Sequence, residues 1–133
     1  MDLLTSKNVQ TILMVSLGAV LGANLRYWIA VWVGQQRWGA QLPLATLIIN
    51  LSGSFLLGLI FTLASERFLI DPRLRVLIMI GFLGSYTTFS TYTYESIVLL
   101  TAGNWTWGLL NLFGSAVLGG LAVIGGILLG RAL

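Results

Sequence analysis

Four long apolar segments dominate this sequence: Thr11–Gly34, Leu42–Ser65, Val76–Thr101 and Trp105–Leu129. Each reaches the roughly 20 mostly apolar residues that an α-helix needs to cross a bilayer. Only the first and the third contain a charged residue, Arg26 and Glu95 respectively. The sequence therefore predicts an all-α membrane protein with four transmembrane helices, over about 9–34, 42–66, 73–101 and 104–132, in one domain covering residues 1–133.

The composition narrows the possible functions. Charged residues make up 8% of the chain, against about a quarter in a soluble domain. Because the chain has no Cys and no His, disulfides, thiolate metal sites and imidazole catalysis are excluded. The spans also lack a carboxylate pair for acid–base work, so we expect a conduit or binding site rather than an enzyme. The net charge of +3 is spread along the chain, and we expect no nucleic-acid binding.

The loop charges predict an orientation in the membrane. The side of the N-terminus carries five basic residues: Lys7, Arg67, Arg73, Arg75 and Arg131. The opposite side carries Arg37, with Arg26 as a second if it lies near that end. This bias favours both termini in the cytoplasm. The first apolar segment is too long for a signal-peptide core, so we expect a retained helix.

An unusual polar run, residues 85–96 (SYTTFSTYTYES), interrupts the third apolar segment. Ten of its twelve residues carry a hydroxyl group, and lipid offers such groups no partners. The preceding residues 81–84 (GFLG) include two glycines, which are weak helix formers. We therefore predict a break in the third helix over Gly84–Thr87, with backbone groups freed to line a cavity or hold an ion. The alternative is an unbroken helix whose hydroxyl groups bond to carbonyls four residues earlier.

Polar and aromatic side chains on three helices suggest an anion path. Phe89 and Tyr92 share a helix face, and aromatic ring edges are positive; simple packing is the alternative. Thr46, Asn50 and Ser54 form a stripe on the second helix, with interhelical bonding as the alternative. Asn111 and Ser115 form a similar pair on the fourth helix.

The two charges within the spans are further candidates, because an ionisable residue in a membrane span is a functional hypothesis by default. Arg26 could attract anions into a vestibule or extend to the interface. Glu95 could pair with Arg26. The excess of hydroxyl and amide groups over charges suggests a small, strongly hydrated anion. A cation-coupled anion transporter and a non-transporting scaffold subunit are the alternatives.

Small residues recur at four-residue spacing in three helices: Gly18 and Gly22, Ser54 and Gly58, Ser115 and Gly119, Gly126 and Gly130. Such pairs let helix backbones approach closely. We expect packing within one subunit, with association between subunits as the alternative.

Three motifs resemble those of the Fluc/CrcB fluoride channels. Residues 81–84 (GFLG), residues 87–91 (TTFST) and Glu95 resemble the signature GFLGG-x-TTFSTF-x-x-E. Residues 22–26 (GANLR) resemble the family's helix-one motif, and residues 46–51 (TLIINL) its GTLxxNLxG motif. The likeness covers nearly the whole chain.

The resemblance implies a dual-topology dimer of two antiparallel four-helix subunits, with the third helix broken in mid-membrane. It implies two fluoride pores per dimer, passive export of fluoride that relieves its toxicity, and a central structural Na+ without an organic cofactor. It also implies a multi-pass protein of the prokaryotic inner membrane. The partners would be fluoride, the lipid bilayer and a second subunit. That subunit is either an identical chain or, given the loop charges, an oppositely biased paralogue.

The resemblance also implies site residues. The Na+ ligands would be the backbone carbonyls of Gly84 and Thr87. The fluoride pathway would comprise Asn50, Phe89, Tyr92, Thr46, Ser90, Thr91, Ser115, Arg26 and Glu95. Two positions depart from the family pattern, because Ser85 replaces the second glycine of the usual pair and Tyr92 stands where the family usually has Phe. The added hydroxyl group of Tyr92 either joins the polar path or alters how the second ring meets the ion.

Overall fold

The computed structural model describes residues 5–36, 42–68 and 70–133, apart from the side chain of Arg67. Arg37, Trp38 and most of the first loop therefore lie outside the described residues. Within them, four helices are long and apolar enough to cross a membrane: α1 (Ser6–Gly34), α2 (Leu44–Glu66), α3 (Pro72–Thr101) and α4 (Trp105–Ala132). The prediction of an all-helical chain with four spanning helices is confirmed.

Local sequence explains where α3 and α4 begin. Asp71 precedes α3, and its Oδ1 accepts a hydrogen bond from the Arg73 N–H at 2.7 Å. Pro72 occupies the first turn, where its missing N–H group costs nothing. Between α3 and α4, Gly103 has φ = 83°, a left-handed conformation that glycine adopts without steric cost. The short connection then returns the chain so that α4 can pack beside α2.

Glycines allow close contact between helix backbones. A Cβ added to Gly22 of α1 would lie 2.1 Å from the Phe82 carbonyl oxygen of α3. A Cβ added to Gly126 of α4 would lie equally close, at 2.1 Å, to the Phe55 carbonyl oxygen of α2. Gly18 and Gly58 make similar approaches. Packing within one subunit is therefore confirmed for these glycines, because only a hydrogen fits at each contact.

The single subunit buries few side chains. Ile49, Leu83 and Tyr86 form its core, where α2 and α3 meet. Large apolar side chains on the outside remain more than half exposed, including Trp28 at 63% and Leu121 at 57%. An outer surface of this kind requires lipid or another protein surface against it.

The helical conformation of α3 is interrupted at two residues. The first part ends at Tyr86, and Thr87 has ψ = 157°. Thr88 follows with φ = −147° and ψ = 116°, and the helix resumes over Phe89–Thr101. Gly84–Tyr86, which the prediction placed within the break, is helical. The interruption lies at the two threonines because the side chain of Asn50, described below, takes up both backbone bonds of Thr88.

Candidate functional site

The side chain of Asn50 bonds to both backbone groups of Thr88. Its Nδ2 donates to the Thr88 carbonyl oxygen at 2.9 Å, and its Oδ1 accepts from the Thr88 N–H at 2.8 Å. A buried backbone group without a partner is costly, so this pair of bonds stabilises the extended conformation of Thr88 within α3. We call it the Asn50 clamp. The amide carries a second N–H hydrogen that this clamp does not use.

Thr88 also begins the second part of α3. Its Oγ1 accepts from the Thr91 N–H at 3.3 Å and donates to Thr91 Oγ1 at 3.0 Å. This is an N-cap interaction, which satisfies an amide at the start of a helix. Thr88 is therefore held at its backbone by α2 and at its side chain by α3.

Other hydroxyl groups of the polar run follow the alternative proposed from the sequence. Thr87 Oγ1 donates to the Leu83 carbonyl at 2.9 Å, and Ser96 Oγ donates to the Tyr92 carbonyl at 2.8 Å. Thr93 likewise bonds to carbonyls in its own helix. These hydroxyl groups donate within α3, so the abundance of hydroxyl groups overstates the number directed at a ligand.

At the interruption, two backbone carbonyls lose the amide partners that an unbroken helix would give them. In an unbroken helix the Gly84 carbonyl would accept from the Thr88 N–H, and the Thr87 carbonyl from the Thr91 N–H. These amides instead bond to Asn50 Oδ1 and to Thr88 Oγ1. Carbonyls at unwound helix segments are the groups that coordinate Na+ in membrane proteins, so the arrangement fits the predicted cation ligands.

The two aromatic side chains lie beyond the interruption. The ring centroids of Phe89 and Tyr92 are 5.7 Å apart, and the rings are tilted by 55°. Phe89 is 77% exposed in the single subunit. The Tyr92 hydroxyl group donates to the Leu112 carbonyl of α4. The phenol group thus bonds within the subunit, a contact that the sequence could not indicate because every residue carries a carbonyl.

A cavity of about 430 Å³ lies among α2, α3 and α4. Six of the predicted site residues line it: Asn50, Gly84, Thr87, Phe89, Tyr92 and Ser115. The other lining residues are uncharged, including Ser54 of the predicted stripe. The structure therefore brings the predicted amide, ring and carbonyl groups to one place without a formal charge.

The cavity lining does not include five of the predicted residues: Arg26, Thr46, Ser90, Thr91 and Glu95. Thr46 is buried, and its Oγ1 donates to Glu95 Oε1 at 2.9 Å. The second oxygen of Glu95, Oε2, is buried and has no hydrogen-bond partner among the described residues. Ser90 and Thr91 are exposed beside the interruption.

The pairing of Glu95 with Arg26, which the sequence left possible, is not observed among the described residues of the subunit. Glu95 bonds to Thr46 of α2, whereas the helix carrying Arg26 packs on the first part of α3 through Gly22 and Phe82. Among the described residues the ion pair is instead Glu66 with Arg131, at 3.2 Å, joining the ends of α2 and α4.

A chain of bonds connects α3 to α4. Ser115 Oγ donates to Asn111 Oδ1 at 3.2 Å, and Asn111 Nδ2 donates to Ser96 Oγ at 2.9 Å. Interhelical bonding is therefore observed for Asn111, while Ser115 bonds to Asn111 and also lines the cavity.

Comparison with known proteins identifies the family. The family described as CrcB-like protein, Camphor Resistance (CrcB), matches residues 13–127. The chain belongs to this family. The CrcB-like chain is 46% identical over 123 residues to a fluoride-specific ion channel FluC of Chloroflexus aurantiacus, an alignment that covers 92% of this chain and 97% of the relative. It is 42% identical over 119 residues to a protein of the same name from a Roseiflexus species, covering 90% of this chain and 92% of the relative.

These comparisons confirm the family resemblance stated from the motifs. A third relative of the same name, from a Synechococcus species, is 42% identical over 128 residues and covers 96% of this chain and 98% of its own length. The CrcB-like relatives are named as channels, which confirms that the chain is not an enzyme. With its four apolar helices, the CrcB-like chain is a multi-pass integral membrane protein.

Proposed function

We propose that this chain is a fluoride-selective channel that lets fluoride leave the cell passively. Relatives named as fluoride-specific channels, at up to 46% identity, support the choice of ion. The observation in the structure that carries the proposal is the uncharged cavity in which Asn50, Ser115 and the two rings meet. An anion held there by partial charges is stabilised enough to lose water and weakly enough to leave.

Each group at the cavity has a physical role in this proposal. The positive ring edges of Phe89 and Tyr92 attract an anion without a full positive charge. The unused N–H hydrogen of Asn50 replaces part of the water shell, and the clamp on Thr88 fixes the amide's orientation. Because donors held in place need no reorganisation, the ion exchanges water for protein at a low cost.

We further propose that two subunits associate in antiparallel orientation, giving a dimer with two pores. The high exposure of Phe89, at 77%, suits a ring that a second subunit would cover. The carbonyls of Gly84 and Thr87 would hold Na+ between the subunits, where the ion would supply positive charge that fixes the interrupted helices. The second subunit is either an identical chain or a paralogue of opposite charge bias, in the inner membrane of a prokaryote.

Fluoride efflux from proteoliposomes, followed with a fluoride electrode, tests the proposed function. We expect the purified chain to release fluoride and not chloride, and Phe89→Ile to reduce fluoride release strongly because the aliphatic side chain lacks a positive edge. Equal release of chloride would refute selectivity.

Labelling of both termini from each side of the membrane tests the orientation of the subunits. A single orientation of the chain expressed alone would exclude the antiparallel homodimer.

A further inference from the structure

The two rings at the cavity are held in different ways. Phe89 has no polar side-chain atom and is 77% exposed in the subunit. Tyr92 is half-buried, and its hydroxyl group donates to the Leu112 carbonyl of α4. Its ring therefore has a directional attachment that the Phe89 ring cannot have.

Helix α4 contacts Tyr92 directly at the phenol group and, through Ser96 of α3, indirectly at the main chain. Ser96 Oγ donates to the Tyr92 carbonyl at 2.8 Å and accepts from Asn111 Nδ2 at 2.9 Å. Ser96 is fully buried, with 0% exposure. Asn111 therefore acts on the main chain of Tyr92 through Ser96, while the adjacent Leu112 bonds to the phenol group. Leu112 lies in the π-helical segment Leu110–Gly114.

The bond to Leu112 determines which part of Tyr92 can meet an anion. A phenol group has one O–H hydrogen, and here that hydrogen points to a carbonyl. The remaining lone pairs on the oxygen would repel an anion, whereas the ring edge would attract it. Because the oxygen lies on the long axis of the ring, the bond fixes the position of the ring at the cavity wall.

We propose that Tyr92 is a positioning residue of the anion pathway: its hydroxyl group, bonded to the Leu112 carbonyl, fixes its ring at the cavity and does not bind the anion. This inference rests on the proposed function. The usual Phe of the family has no hydroxyl group at this position. The hydroxyl group of Tyr92 therefore serves the contact with α4 and is not part of the polar path.

Three matched substitutions test the proposal, each removing one phenol oxygen. Tyr92→Phe removes the bond to Leu112. Tyr86→Phe removes a buried bond of 2.8 Å to Ser52, away from the cavity lining, and controls for loss of stability. Tyr94→Phe changes a side chain that is 72% exposed and controls for the substitution itself. Fluoride and chloride efflux are measured per folded dimer, together with the unfolding temperature.

We expect Tyr92→Phe to lower fluoride efflux about two- to tenfold, the range given by the loss of one hydrogen bond that holds the ring. Selectivity over chloride should stay unchanged, because the hydroxyl group is not a ligand. Tyr86→Phe should lower the unfolding temperature without lowering efflux per folded channel, and Tyr94→Phe should change neither. Unchanged efflux in Tyr92→Phe would overturn the proposal, and altered selectivity would show instead that the hydroxyl group binds the ion.

The tyrosine Raman doublet supplies a readout independent of transport. Its intensity ratio reports whether a phenol group donates a hydrogen bond. The difference spectrum between the wild-type chain and Tyr92→Phe isolates the signal of Tyr92. We expect the intensity ratio of a phenol group that donates a hydrogen bond, and we expect this ratio to stay the same when fluoride is added. A response to fluoride would contradict the positioning role. If the wild-type chain releases no fluoride, the proposed function fails and the role of Tyr92 in it fails as well, while the Raman spectrum still reports the bond to Leu112.

Discussion

Replacing Asn50 with leucine tests whether the clamp maintains the interruption of α3. The substitution removes both bonds to Thr88, of 2.9 and 2.8 Å, and introduces no charge. It leaves one N–H and one carbonyl without their partners in a buried region, because Thr88 is 9% exposed. Each orphaned group costs about 1–3 kcal/mol, so the total loss is about 2–6 kcal/mol.

The matched control is Asn24→Leu. Asn24 is an exposed residue of α1, and its Nδ2 bonds only locally, to the Val20 carbonyl at 2.7 Å. Losing that bond leaves a helix carbonyl with its regular partner, so we expect a change below about 1 kcal/mol. Unfolding in detergent is followed by circular dichroism and by size-exclusion chromatography. We expect a much larger loss of stability for Asn50→Leu than for Asn24→Leu.

Asn50→Asp provides an intermediate case. The carboxylate can still accept from the Thr88 N–H, but it has no hydrogen to donate to the Thr88 carbonyl. We expect a stability loss between those of the control and Asn50→Leu, of about 1–3 kcal/mol. We expect fluoride efflux to be greatly reduced, because the negative charge repels the anion. If Asn50→Leu unfolds at the same temperature as Asn24→Leu, the clamp reasoning is refuted even if fluoride efflux is lost.

Two further predictions concern helix packing and the cation. Gly126→Ala should disrupt the contact of α4 with α2 and destabilise the fold, because its Cβ would lie 2.1 Å from the Phe55 carbonyl; the neighbouring Gly125→Ala, with its nearest contact at 3.8 Å, should be tolerated in the same unfolding assay. Replacing Na+ by a larger organic cation during purification should lower fluoride efflux and the unfolding temperature if the Gly84 and Thr87 carbonyls bind Na+; unchanged behaviour at submicromolar Na+ would argue against the cation site.

Sequence patterns predicted the spanning helices well because the physical constraint is strong. A bilayer requires long apolar segments, and the chain has four of them. The glycine spacing likewise predicted close contacts, since Gly22 and Gly126 each face a backbone carbonyl. Six predicted site residues line one cavity, although their roles remain predictions. The polar run predicted an unusual third helix, but the weak helix propensities of its glycine and hydroxyl residues placed the interruption over Gly84–Thr87, whereas only Thr87 of that range is non-helical and Thr88 joins it.

The sequence by itself determined the membrane class, the number of spans, the family and the candidate polar groups. Tertiary structure decided how these groups pair: Asn50 bonds to Thr88, Thr46 to Glu95, and Tyr92 to Leu112. The physical reason is that spans and glycine contacts follow from periodic local properties, whereas a hydrogen bond depends on which helices lie side by side. Two of these three contacts use backbone groups, which every residue possesses and no sequence pattern can single out.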